Sequence, residues 1–170
     1  VDVPALDRAL TAVIARHETL RTTYRMAEDG RLVQVVHPAA PAAVEVIDVR
    51  DRVGQPFVRG VQALIGEEGA RLFDLDRGPM VRVTLLRVSD ADYAMVVTTH
   101  HIATDGWSFP LLMRDLLALY DGYHAGREPV LPPLPLRYAD YAVWQREQLQ
   151  GEGAEKQVRY WRELLEGAPA

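Results

Sequence analysis

The chain of 170 residues contains no cysteine. That excludes a disulfide scaffold and cysteine nucleophiles. Lysine is almost absent as well: Lys156 is the lone lysine, and the other basic residues are all arginine. No apolar run approaches the length of a transmembrane helix, and no signal-peptide pattern stands at Val1, so no membrane association and a cytoplasmic location are expected. Positive charge is not in excess. A net charge of −5 argues against a general nucleic-acid binder. Serine is scarce, and no G-x-S-x-G elbow is present, which leaves a Ser-His-Asp hydrolase without support. What is present suits a globular domain with its own core, with 48% hydrophobic and 25% charged residues. There is no internal repeat and no low-complexity tract.

Periodicity divides the chain into alternating short strands and helices. Asp2 caps a helix expected from Pro4 to Leu20, with Leu6, Leu10, Val13, His17 and Leu20 as its buried stripe. Strands at 21–26 and 31–37 flank Asp29-Gly30 as a hairpin. Further strands are expected at 44–49, 80–88 and 92–99, and helices at 56–67, 108–124, 138–150 and 154–166. Gly151-Glu152-Gly153 separates the last two. Pro129, Pro132, Pro133 and Pro135 form an extended connector. Hairpins mixed with helices fit an α+β fold with a mixed sheet better than a doubly wound parallel sheet. Trp107, Trp144 and Trp161 read as core or subdomain-contact residues. His17 reads as a satisfied core histidine, and His37 and His124 as exposed.

The chemistry concentrates in His100-His101-Ile102-Ala103-Thr104-Asp105-Gly106, followed by Trp107-Ser108. The preceding Tyr93–Thr99 run is apolar and β-branched, so the histidines stand where a buried strand opens into a loop. Successive strand side chains face opposite ways, so one imidazole is expected to work and the other to be structural. Imidazole titrates near pH 6.5, which suits a general base at neutral pH. Adjacent histidines do not share a face as zinc ligands spaced i, i+4 do, so no metal is expected. Asp105 can orient an imidazole or tie the loop down by pairing with an arginine. Gly106 can be read simply as a turn residue with positive φ.

These residues resemble the core motif of the condensation domains of nonribosomal peptide synthetases. Three more segments agree, in the family's order. Arg16-His17-Glu18-Thr19-Leu20-Arg21-Thr22-Thr23-Tyr24 is similar to R-H-E-x-L-R-T-x-F, with Tyr24 in place of Phe. Phe73-Asp74-Leu75-Asp76-Arg77-Gly78-Pro79-Met80 is similar to F-D-L-x-x-G-P-L. Tyr138-Ala139-Asp140-Tyr141-Ala142-Val143-Trp144-Gln145-Arg146 is similar to Y-x-D-(Y/F)-A-x-W-Q-R. One H-H-x-x-x-D-G is moderately specific, whereas the ordered set of four is highly specific.

The resemblance implies half of a chloramphenicol acetyltransferase-like fold. Residues 1–170 would be the N-terminal lobe of a condensation domain, with the opening segment and the C-terminal lobe absent. It implies amide (peptide) bond formation in antibiotic and other secondary metabolism. An acyl or peptidyl thioester donor and an aminoacyl thioester acceptor would be carried on the 4′-phosphopantetheine arms of upstream and downstream peptidyl carrier proteins. An adenylation domain would belong to the same assembly line, and the domain itself would bind no cofactor. His101 matches the family's catalytic histidine, as a base or as a group stabilising the tetrahedral intermediate. His100, Asp105, Gly106, Trp107 and Ser108 would support it. Asp105 would be structural, in a buried pair with Arg16 or, as second choice, Arg21. Heterocyclisation domains replace the histidines with aspartates. Epimerisation domains commonly place Trp after the motif's Ser, whereas here Trp107 precedes Ser108 and Phe109 follows it. The alternatives are a catalytically silent relative that recruits partner enzymes, or an epimerisation domain of the same fold. The lobe alone is expected to be inactive, because half the substrate tunnel belongs to the other lobe.

Overall fold

A computed structural model describes residues 1–52 and 57–168. By internal contacts the chain forms two compact units, Val1–Pro132 and Pro133–Ala170.

The first unit opens with helix α1, Val3–Arg16. Asp2 caps it by accepting the Ala5 N–H at 3.0 Å, and Pro4 occupies the first turn, where a missing N–H costs nothing. α1 stops earlier than the apolar stripe suggests. His17 is extended, and a 3₁₀ turn follows at Glu18–Arg21, burying Leu20. Strands β1 (Thr22–Met26) and β2 (Leu32–Val36) form the expected antiparallel hairpin, with Tyr24 opposite Gln34. Gly30 makes the turn at φ +79°, a conformation open to glycine.

Strand β3 (Glu45–Asp48) pairs in parallel with β4 (Val81–Arg87), and β4 pairs antiparallel with β5 (Tyr93–Thr99). The sheet is therefore mixed, in the order β3-β4-β5. Parallel pairing requires a crossover, which α2 (Phe57–Gly69) supplies. The expected helix start at Pro56 lies outside the described residues.

β4 is central and largely buried, with Val81, Val83, Thr84, Leu85 and Leu86 all inside. Val81, Val83 and Leu85 pack with Leu6, Leu10 and Val13 of α1 and with Leu112, Leu116 and Leu119 of α3 (Ser108–His124). Leu86, turned the other way, packs with Val96, Val49 and Leu64 of α2. Each such aliphatic side chain contributes about 1.5–3 kcal/mol through burial, so this two-sided core fixes where β5 ends. The proline connector is partly docked. Leu131 packs on the core, and a Cβ on Gly122 would meet the Pro129 ring at 2.5 Å.

The second unit holds α4 (Tyr138–Gln148) and α5 (Gly151–Leu164). The Arg137 N–H donates to Asp140 Oδ2 at 3.0 Å, giving the motif aspartate a role at the start of α4. The expected break at 151–153 is narrower than the sequence suggests, because Gly153 lies inside α5. The tryptophans are not core residues. Trp107 is 85% exposed, and Trp144 and Trp161 are exposed as well. No described helix is long and apolar enough to cross a membrane.

Candidate active site

β5 delivers His100 and His101 to the edge of the first unit, and the loop returns directly into α3. Three of the motif segments meet here through a single residue. The Met80 N–H donates to the Leu20 carbonyl at 2.8 Å, and the Met80 carbonyl accepts the His100 N–H at 3.1 Å. The Tyr24 N–H also donates to the Leu75 carbonyl at 2.9 Å. Met80 is fully buried, so these bonds are shielded from water.

The two histidines occupy different environments. His100 is half-buried. Its Nδ1 accepts the Ile102 N–H at 3.0 Å, and its carbonyl accepts the Ala103 N–H at 3.0 Å. Its ring stands perpendicular to Phe73, with centroids 5.9 Å apart. An Nδ1 that accepts carries no proton, so neutral His100 is held as the Nε2–H tautomer. His101 is exposed in the turn, and no hydrogen bond to its ring is formed among the described residues. The Thr104 hydroxyl donates to Thr99 Oγ1 at 2.6 Å, closing the loop behind the turn.

The expected Asp105–Arg16 pair is not formed, and neither is the Asp105–Arg21 alternative. Asp105 is exposed and works as a cap for α3. Its Oδ1 accepts the Ser108 N–H at 2.8 Å, the Ser108 hydroxyl at 2.7 Å and the Trp107 N–H at 3.2 Å. The Asp105 N–H donates to Ser108 Oγ at 2.8 Å. The Ser108 side chain and backbone bonds hold the carboxyl below its ordinary range. The physical reason for the difference is burial: Asp105 is in water and needs no cation, whereas Asp115 on α3 is 2% exposed and does.

Arg16 goes to Asp115, with Nε 3.0 Å from Oδ2, and its Nη2 donates to the Pro132 carbonyl at 2.6 Å. His17 Nε2–H donates to the same oxygen at 3.1 Å, and Arg114 reaches Oδ1 at 2.9 Å. Burial pushes the Asp115 carboxyl up, but hydrogen bonds from Arg114, His17 and Arg16 outweigh it and leave the group below its ordinary value. Arg21 instead binds the backbone carbonyls of His37 and Ala15, and Glu18 at 3.3 Å. Sequence reasoning missed Asp115 because two of its partners, His17 and Arg16, lie 98 and 99 residues away.

Gly106 does not adopt positive φ, and a Cβ there would meet open space. Trp107 projects beside it into solvent. Among the described residues no group of three or more His, Asp or Glu is placed to hold a metal ion. One expectation follows from the cap. Asp105→Asn keeps the Oδ1 acceptor and should leave the thermal midpoint close to wild type, whereas Asp105→Ala loses it and should lower the midpoint measurably. Equal losses in the two variants would show that the charge, not the cap, matters.

The Condensation domain family matches residues 1–170. A linear gramicidin synthase of Brevibacillus parabrevis is 44% identical over 168 residues, 99% of this chain and 2% of that protein. The X-domain from teicoplanin biosynthesis superposes with a TM-score of 0.86 at 36% identity, covering 99% of this chain and 37% of that one. The X-domain in complex with OxyB gives a TM-score of 0.85 at 36% identity, covering 99% of this chain and 36% of that one. The epimerization domain from the third module of tyrocidine synthetase B shares the fold, with a TM-score of 0.80 at 24% identity over all of this chain and 38% of that one. The chain thus spans little more than a third of the solved relatives and a few hundredths of the synthase. A mixed β-sheet packed with helices, the α+β half of a chloramphenicol acetyltransferase-like fold, and matches along its whole length place this chain in the condensation-domain family of nonribosomal peptide synthetases.

Proposed function

We propose that residues 1–170 are the N-terminal lobe of a domain that forms amide bonds between two carrier-tethered substrates. The observation that carries this reading is the pairing of an exposed His101 with an anchored His100 at the end of β5. The acceptor amine nitrogen attacks the donor thioester carbonyl. A C–N bond forms, the C–S bond breaks, and its electron pair leaves on sulfur. The proton lost by nitrogen ends on the released thiol. A thioester is already activated, so no covalent enzyme intermediate is needed. Holding both substrates on phosphopantetheine arms makes the encounter effectively intramolecular, which is worth several kcal/mol. His101 removes the amine proton or hydrogen-bonds the tetrahedral intermediate. Upstream and downstream carrier proteins are the partners, with an adenylation domain in the same cytoplasmic assembly line. The C-terminal lobe supplies the other wall of the tunnel, so the lone chain is expected to be inactive.

A second reading is favoured by one observation: the teicoplanin relative is seen in complex with OxyB. On that reading the domain recruits an enzyme and makes no bond. The intact H-H-x-x-x-D-G sequence supports catalysis instead, since recruiting relatives usually carry a degraded motif.

The intact domain, given a donor and an acceptor carrier each loaded with its thioester, is expected to yield an amide on the acceptor arm. Inversion of a single carrier-bound residue without amide formation would assign it to epimerisation. Neither product would favour recruitment.

A further inference from the structure

A chain of contacts leads from the second strand of the mixed sheet to the histidine turn, through a residue outside the recognised motifs. Arg82 lies two positions beyond Met80 on β4, opposite Thr98 of β5. Its guanidinium donates to the Arg71 carbonyl at 2.8 Å and the Leu72 carbonyl at 3.4 Å. These are the two residues that precede Phe73. The same guanidinium lies over the Phe73 ring, 4.0 Å from its centroid. Arg82 Nε is buried without a hydrogen bond and faces Glu68 Oε1 at 3.6 Å. Glu68 is itself buried, and Arg71 also binds it at 2.9 Å. Phe73 in turn stands against the His100 ring.

Each link restricts the next. A planar guanidinium can grip two carbonyls and stack on a ring at once, which an ammonium cannot. With the two preceding carbonyls bound by Arg82 and one face of its ring covered by the same guanidinium, Phe73 is restricted where it meets His100. His100 then keeps Nδ1 aimed at the Ile102 N–H, and that bond spans His101. The position of His101 follows from the shape of this turn, because its own ring forms no hydrogen bond among the described residues.

We propose that Arg82 is a positioning residue for His101, acting through Phe73 and His100. The proposal rests on the reading of His101 as the working imidazole. Glu68 holds Arg82 in register from α2, so the network ties the turn to α2 as well as to β4.

The test uses the intact condensation domain with both loaded carriers saturating. Arg82→Lys keeps a cation for Glu68 but loses the stack. Phe73→Leu keeps apolar bulk but loses the ring. Each is expected to lower the single-turnover rate about tenfold to a hundredfold, the scale expected when a reacting group is slightly misplaced. Carrier affinity should stay at the wild-type value, and any fall in the thermal midpoint should be too small to account for the lost rate. Phe73→Tyr keeps the ring and should restore most of the rate, and the double variant Arg82→Lys/Phe73→Leu should be no slower than the slower single. Nitrogen-15 spectra of the His100 ring should show one Nε2–H form in wild type and mixed tautomers in the two damaging variants. A wild-type rate in Phe73→Leu or Arg82→Lys overturns the proposal. So do multiplying losses in the double variant, or a fall that merely tracks a lowered thermal midpoint. If His101→Ala keeps its rate, the reading of His101 is retired on that result alone. The His100 ring spectra then still decide whether Arg82 and Phe73 hold the turn.

Discussion

His101→Ala in the intact domain is expected to cut single-turnover amide formation about a hundredfold or more, the usual weight of a positioned proton-transfer group. The fold should not change. The His101 ring is exposed and forms no hydrogen bond among the described residues, so its removal opens no core cavity and orphans no partner. That separation of rate from stability is the signature to measure, with rapid-quench condensation beside thermal unfolding of the same preparation. His100→Ala should behave differently. It removes the acceptor for the Ile102 N–H and the ring packed on Phe73, so rate and local order should fall together. A His101→Ala domain that keeps its rate would show that positioning of tethered substrates alone drives the reaction.

Asp115→Ala should produce the largest loss of stability among the polar substitutions considered. The carboxylate is nearly inaccessible and is the shared acceptor for Arg16, His17 and Arg114. Breaking a buried pair from one side costs about 3–5 kcal/mol when the remaining charge stays buried. Here Arg16 and His17 retain partial access to water, which reduces the penalty, so about 2–4 kcal/mol is expected from denaturant unfolding. Asp115 also sets a pH dependence. Its folded pKa lies below its unfolded value, so the stabilisation is fully present above the unfolded carboxylate range, about pH 3.9. It is lost as pH falls through the lower folded value. In Asp115→Ala that acid-side component of the stability curve should flatten. An unchanged acid limb in the variant would place the acid sensitivity elsewhere.

Much of the architecture is legible from local pattern. The helix at Ser108–His124 and the strand up to Thr99 are fixed by period and by flanking turn residues, which act over a few positions. The hairpin follows from Asp29-Gly30 for the same reason. The arginine partnerships are not legible in this way. Asp115 sits between Arg114 and Leu116, and its sequence neighbours do not reveal that it faces α1. Only packing of α1 on α3 brings Arg16 and His17 to it. Asp105 is a different case. An Asp three residues ahead of Ser108 and shortly before Pro110 is a recognisable helix-start signal, and it accounts for the carboxylate without any arginine. The family resemblance draws attention to the motif residues themselves. The stack of Arg82 on Phe73 and of Phe73 against His100 joins three separated segments and has no local signature at all.

The central claim is a division of labour between adjacent histidines, and the most direct measurement is a crystal structure of the intact domain with an acceptor aminoacyl analogue tethered through a phosphopantetheine arm. The account predicts the His101 imidazole within hydrogen-bond reach of the acceptor nitrogen, about 2.6–3.2 Å. It predicts His100 still turned onto Phe73, its Nδ1 bound to the Ile102 N–H. An acceptor nitrogen seated away from His101, or both imidazoles converging on one bound metal ion, would contradict it.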